Sequence, residues 1–148
     1  MTTVPRMGTL EARNKQVVER FWLALAQRDW DAMAALLAPD AHYTDVGTPG
    51  PGGVGPEGVL ARLRIGIEPL EAYWHYPGHI VAEGDLVFTE HVEHWQFHTG
   101  EAFDHPFVSV IELRDGKIVR WHDYSNIANI MANAPKWWLE QIGAAAAP

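Results

Sequence analysis

Acidic and imidazole side chains alternate with apolar ones along the segment LVFTEHVEHWQF (86–97), which has the composition of a strand. Alternation along a strand places Thr89, His91, Glu93, Trp95 and Phe97 on one face. That face is the more apolar one, so we expect it to point inward with His91 and Glu93 buried. A buried unpaired charge costs several kcal/mol or more, so these groups need each other or a further partner. Two alternatives stay open: the faces are reversed and both groups are solvated, or the pair is buried and satisfied without chemistry.

A second acidic candidate, Asp123, lies near the end of the segment KIVRWHDYS (117–125). Asp123 follows Trp121 by two residues and Val119 by four, so alternation predicts an apolar face around it. Burial there would raise the pKa of the carboxyl and keep it partly protonated near neutral pH, as a general acid requires. The alternative is an edge aspartate that caps the helix beginning at Asn126.

Tyr43 and Asp45 form the third candidate, on the short predicted strand 41–46. A tyrosine hydroxyl can hold a water molecule or a substrate oxygen, and an aspartate can accept a proton. Plain packing of the tyrosine is the alternative. The glycine- and proline-rich segment 47–56 that follows predicts a surface loop, which could cover a cavity.

The chain contains seven tryptophans, enough to line a pocket for a small apolar ligand. The alternative is that these rings fill the core. No zinc-binding histidine motif and no phosphate-binding loop occurs, so neither a metal nor a cofactor is expected. The residues predicted to bind the substrate are Trp22, Leu63, Trp95, Phe107 and Trp121.

Composition narrows the class of protein further. The 148 residues are 47% hydrophobic and 20% charged, which suits one folded domain over 1–148. The chain has no cysteine, which excludes thiol nucleophiles, thiolate metal sites and disulfides. A net charge of −8 opposes binding to nucleic acid. No long apolar run or signal peptide is visible, so we expect a cytoplasmic protein that does not bind membranes.

The order of elements predicts the fold. Apolar spacing indicates a helix over 10–26, a short second helix after Asp29 and a third helix near 57–68. Four long antiparallel strands are predicted over 72–125, followed by a tail helix interrupted at Pro135. Helices followed by consecutive strands indicate an α+β domain, in which helices cover one face of a curved, cone-shaped antiparallel sheet. Residues 1–9 are predicted to be a loose arm and 143–148 a frayed tail, and the exposed outer face of the sheet predicts a homodimer.

This order of elements resembles the cone-shaped fold shared by nuclear transport factor 2, ketosteroid isomerase and the polyketide cyclases. Within that superfamily, the chain is similar to the limonene-1,2-epoxide hydrolase family. That family has one strand of the form T-x-R-x-D and a later strand ending in W-R-D-Y. Here Thr89-Glu90-His91-Val92-Glu93 and Trp121-His122-Asp123-Tyr124 stand in those places, and Tyr43-Thr44-Asp45 stands where the family has Tyr-x-Asn.

The resemblance implies a cofactor-independent, one-step opening of an epoxide by water. Carried over by position, Glu93 would be the base, Asp123 the acid, His91 a cationic bridge between them, and Tyr43 and Asp45 the groups that hold the water. Three of these five positions differ in residue type from the family pattern. Because histidine titrates where arginine does not, and because a third carboxyl is added, at least one proton should be shared in this site.

Two other functions fit the same residues. One is an isomerase, cyclase or dehydratase, in which Asp123, with or without His91, removes a proton next to a carbonyl while Tyr43 steadies the oxyanion. The other is a non-catalytic module that binds a small ligand or forms a dimer.

Overall fold

A six-stranded curved sheet with helices on one face forms the protein, as described for residues 8–146 by a computed structural model. This architecture confirms the predicted α+β fold. The elements in chain order are α1 (Leu10–Ala26), α2 (Trp30–Leu36), β1 (Leu37–Asp45), β2 (Gly53–Val54), α3 (Gly55–Ile67), β3 (Ala72–Glu83), β4 (Leu86–Gln96), β5 (Ala102–Arg114), β6 (Lys117–Ser125), α4 (Ile127–Asn133) and α5 (Lys136–Ala146).

The strands lie in the order β2-β1-β6-β5-β4-β3. The four long strands β3 to β6 pair antiparallel with their neighbours in sequence, as predicted. Strand β1 pairs parallel with β6, which brings Asp45 beside Asp123. The sequence did not predict this pairing, because about half of the chain lies between the two strands.

Side chains cap the first two helices, and the cap of the second is Asp29, where the sequence predicts that helix to start. The Thr9 hydroxyl accepts a hydrogen bond from the Ala12 amide (3.1 Å), and Asp29 accepts one from the Ala32 amide (3.0 Å). Thr9 is therefore part of the helix start and not of the predicted loose arm, whose residues 1–7 lie outside the described residues.

The predicted fraying of 143–148 is wrong for 143–146, because α5 continues to Ala146; residues 147–148 lie outside the described range. The apolar side of α5 packs on the core through Trp138 and Ile142. Trp138 is buried against Trp95 and Phe97, and its indole nitrogen donates to the Gly66 carbonyl (2.9 Å).

An irregularity in β6 shifts the predicted faces at the start of that strand. Leu113 pairs with Ile118 and Glu112 with Arg120, so Val119 is an extra residue between them. Ile118 is therefore buried in place of Val119, which corrects the predicted face. Beyond this point the alternation holds, and Asp123 is buried in the interior of the strand, beside two neighbouring strands. The alternative of a strand-edge aspartate is wrong.

The segment 47–56 is not entirely a loop. It contains β2, which pairs antiparallel with β1, and α3 begins at Gly55. Gly52 has a φ of +76°, and a Cβ at this position would lie 2.1 Å from the Tyr43 carbonyl oxygen. Only glycine fits there, so the turn can approach the strand that carries Tyr43 and Asp45.

The outer face of the sheet exposes large apolar side chains, among them Trp74, Tyr76 and Phe88. The homodimer stays a prediction. Within the described range, no helix is both long and apolar enough to cross a membrane.

Candidate active site

A cavity of about 600 Å³ lies between the inner face of the sheet and helices α3, α4 and α5. Its wall is mostly apolar, and Met131, which is largely exposed, lies on its lining. Three carboxyl side chains reach this cavity from three different strands: Asp45, Glu93 and Asp123. Apolar surroundings and convergent acidic groups are typical of an acid–base site.

Both side-chain hydrogen bonds of Asp123 within residues 8–146 are made by one of its carboxyl oxygens. Its Oδ1 accepts a hydrogen bond from the Trp121 indole nitrogen (2.6 Å) and another from the Ser109 hydroxyl. Burial raises the pKa of the Asp123 carboxyl well above its ordinary value, and the nearby charge of Asp45 raises it further. This environment favours the protonated, neutral form of Asp123.

Glu93 differs from Asp123 in how its two oxygens are used. The Tyr73 hydroxyl donates to Oε1, and the Trp95 indole nitrogen donates to Oε2 (2.9 Å). Burial raises the pKa of Glu93 to about 7, while the two hydrogen bonds act to lower it. Glu93 is therefore divided between its acid and its carboxylate near neutral pH.

Asp45 is the most exposed of the three carboxyl groups, with 32% of its side chain accessible. Tyr43, which is buried, donates its hydroxyl hydrogen to Asp45 Oδ1 (2.9 Å). Arg62 Nη2 lies 3.9 Å from Oδ2. Burial raises the pKa of Asp45, whereas Tyr43 and Arg62 lower it. Within residues 8–146, Asp45 is the only one of the three with a cation at ion-pair distance, so it is the one whose charge is best supported.

The predicted role of His91 as a cationic bridge between Glu93 and Asp123 is wrong in its contacts and in its charge. His91 is buried in the sheet, and its ring nitrogens contact His75 Nε2 (2.7 Å) and Ser109 Oγ (3.0 Å). Burial lowers the pKa of His91 to about 3, so the ring is neutral at physiological pH. The prediction failed because both neighbours of His91 lie on other strands, whose register the sequence does not give.

Four of the five predicted substrate-binding residues line the cavity: Leu63, Trp95, Phe107 and Trp121. Trp22 does not; it is buried in the core, where its indole nitrogen donates to Thr89 Oγ1 (3.1 Å). The prediction for Trp22 is corrected for a geometric reason: its ring packs against His75, His91 and Trp121 in the core. The assignment of the lining residues to substrate binding stays a prediction.

Three polar residues of the cavity region were missed by sequence reasoning: Tyr73, Ser109 and Arg62. Tyr73 shares a strand face with His75, which alternation could have shown. Its pairing with Glu93 depends on the β3–β4 register, which shifts between Pro77 and Ile80. No sequence signal marks Ser109 or Arg62, because a single serine in a strand or arginine in a helix is ordinary.

His105 also lines the cavity, and its Nδ1 is buried without a hydrogen-bond partner. Burial lowers its pKa to about 4, so it is a neutral ring. No group of three or more histidine, aspartate or glutamate side chains within residues 8–146 is arranged to hold a metal ion. Independence from cofactors stays a prediction.

Fold and cavity together define an α+β cone whose inner sheet face carries acid–base groups, the architecture of the nuclear transport factor 2-like superfamily. The model of the SnoaL-like domain matches residues 18–121. The chain belongs to this family.

Solved structures repeat the fold over nearly their whole length. An LEH-like epoxide hydrolase of M. tuberculosis is 24% identical with a TM-score of 0.72, over 92% of this chain and 96% of that one. A proposed polyketide cyclase of Xanthomonas campestris pv. campestris is 27% identical with a TM-score of 0.73, over 86% and 100%. A proposed SnoaL-like polyketide cyclase of Jannaschia sp. CCS1 is 19% identical with a TM-score of 0.76, over 89% and 99%.

Proposed function

We propose that the protein is a cofactor-independent hydrolase that opens a small, apolar, cyclic epoxide with water. The observation that supports it most is the convergence of three carboxyl groups from different strands on one apolar cavity. Burial favours the neutral form of Asp123, whereas Glu93, whose pKa is raised to about 7, is partly ionised near neutral pH. Two titratable groups whose pKa values are shifted to different extents can act as an acid and a base at the same pH.

In this mechanism Glu93 removes a proton from a water molecule as the water oxygen bonds to one epoxide carbon. The bond from that carbon to the epoxide oxygen breaks, and the oxygen takes the proton of Asp123. The product is a diol. The proton gained by Glu93 then returns to Asp123 through the cavity, so the protein ends as it began.

Asp45 and Tyr43 hold the attacking water in this proposal. Their hydrogen-bonded pair lies beside Asp123 on the neighbouring strand. Arg62 supports the charge of Asp45 from α3. These polar groups lie on one part of a cavity wall that is mostly apolar. They would orient an epoxide with its oxygen toward the acids.

A second function uses the same pair of carboxyls. Glu93 would remove a proton next to a carbonyl, and neutral Asp123 would donate a hydrogen bond to the resulting oxyanion. The observation that favours it is that Asp123 is buried on the lining of an apolar cavity, which favours the protonated form of its carboxyl. The similarity in fold between this protein and the proposed polyketide cyclases agrees with this second function.

Labelled water distinguishes the two functions. We expect the protein to convert members of a panel of small cyclic epoxides, including limonene-1,2-epoxide and cyclohexene oxide, into diols that contain one ¹⁸O atom from H₂¹⁸O. The second function predicts no diol, and instead the exchange of deuterium from D₂O into carbon next to the carbonyl of cyclic ketones. Epoxide consumption no faster than with the Asp123→Asn variant would contradict the proposed hydrolase.

A further inference from the structure

A line of hydrogen bonds leaves Asp123 on the side away from the cavity and crosses the sheet. Asp123 Oδ1 is bonded to Ser109 Oγ, Ser109 Oγ lies 3.0 Å from His91 Nε2, and His91 Nδ1 lies 2.7 Å from His75 Nε2. The line uses one residue from each of the four neighbouring strands β6, β5, β4 and β3. All four side chains are buried.

Trp121 fixes the direction in which the hydrogens point. The indole N–H can only donate, and it donates to Oδ1, the same oxygen that Ser109 contacts. In a neutral carboxyl group the carbonyl oxygen accepts hydrogen bonds better than the hydroxyl oxygen. Oδ1 is therefore the carbonyl oxygen, and the proton of Asp123 sits on Oδ2, for which no hydrogen bond occurs within residues 8–146.

Counting donors extends this direction along the line. Ser109 has one hydroxyl hydrogen, which is used on Asp123, so its oxygen must accept from His91 Nε2–H. A neutral His91 then has a bare Nδ1, which must accept from His75 Nε2–H. The last atom, His75 Nδ1, is left without a hydrogen. Of the four ring nitrogens of His75 and His91, it is the one without a hydrogen-bond partner within residues 8–146.

The surroundings keep both rings uncharged. The groups packed on His91 are Trp22 from α1 and Phe107 from β5, whose rings lie 4.5 and 4.4 Å from the imidazole centroid. Burial lowers the pKa of His75 to about 4. The Trp22 backbone acts to raise that pKa and so would favour a hydrogen on Nδ1 of His75, but within residues 8–146 this atom has no hydrogen-bond partner.

We propose that Ser109, His91 and His75 are positioning residues that form a one-way chain of neutral donors ending on Asp123 Oδ1. The chain holds the carboxyl so that Oδ2 carries the proton toward the cavity, and it stabilises the carboxylate after that proton has left. It does so without a buried cation. The purpose of the chain rests on the proposed function, whereas its direction does not.

Nitrogen NMR of the free protein tests this direction without any substrate. In protein with ¹⁵N-labelled histidine, assigned by removing one histidine at a time, we expect His91 and His75 to be neutral Nε2–H tautomers from pH 5 to pH 8. Nδ1–H on both rings would overturn the proposed direction. A charged ring would overturn the neutral chain. Neither result depends on whether epoxides are turned over.

Ser109→Ala tests the coupling to the acid. The variant removes the acceptor of His91 and a donor of Asp123, so we expect a mixture of His91 tautomers and a rise of about one unit in the pKa of Asp123. Ser109→Thr should restore both signals, and His105, which lies outside the chain, should not change in either variant. An unchanged His91 tautomer in folded Ser109→Ala would overturn the proposal.

Discussion

Replacing Asp123 with asparagine is expected to lower epoxide turnover by about 10²- to 10⁴-fold while leaving the fold intact. The amide keeps the shape of the carboxyl, and its oxygen can still accept from Trp121 and Ser109, which hold Oδ1 in the native protein. The NH₂ group cannot release a proton to the opening epoxide. The measurement is kcat on the epoxide that turns over fastest, with circular dichroism and Tm as the test of folding.

Asp104→Asn is the matched control for this variant. Asp104 lies on β5 with an exposed side chain that pairs with His94 (2.7 Å) outside the cavity. The same carboxyl-to-amide change there should leave kcat within about twofold of the native value. A native rate in Asp123→Asn would remove Asp123 from the acid role.

Glu93→Gln is expected to lower turnover by a similar factor, about 10²- to 10⁴-fold, and to change the shape of the pH profile. A base must be ionised, and the pKa of Glu93 is raised to about 7 by burial, so native activity should increase with pH through this region. It should decrease again at higher pH as Asp123 loses its proton. The ascending limb near pH 7 should be absent from the residual activity of the variant.

Glu90→Gln supplies the control on the same strand. Glu90 precedes His91 on β4 but points outward, and its side chain is 69% exposed. This variant should keep both the rate and the ascending limb. An ascending limb near pH 7 that persists in Glu93→Gln would contradict Glu93 as the base and would point to Asp45.

Alternation within single strands allowed much of the site to be predicted. The period of two placed Glu93 and Trp95 inside and separated Asp123 from His122, and each of these placements agrees with the observed burial. Helix α1 was predicted from apolar spacing with the bounds that the structure has. Such local patterns succeed because one buried face requires a regular sequence.

Contacts between strands could not be predicted in the same way. Ser109 meets Asp123 because β5 and β6 pair in one register, and His75 meets His91 diagonally because β3 and β4 pair His75 with Glu93 and Pro77 with His91. A bulge or a parallel crossover leaves little trace in one sequence, yet each one decides which side chains touch. For this reason the inward residues were found, but the partner of His91 was not.

The resemblance to the epoxide hydrolase family had a similar limit. It placed His91 where the family has arginine, and so suggested a cation between two acids. The buried ring makes two hydrogen bonds to uncharged partners, and burial makes its charged form unfavourable. At this strand position a histidine, which is shorter than arginine and can be neutral, makes contacts other than those that the resemblance implied.

The proposed mechanism requires Asp123 to be a neutral acid at pH 7 in a site that also holds a carboxylate. Infrared spectroscopy of protein with ¹³C-labelled aspartate, compared between native protein and Asp123→Asn at pH 7, measures this directly. We predict that the native protein shows the carbonyl band of a protonated, labelled carboxylic acid and that the band is missing from the variant. If the variant lacks only carboxylate bands, Asp123 is ionised at pH 7 and cannot be the acid.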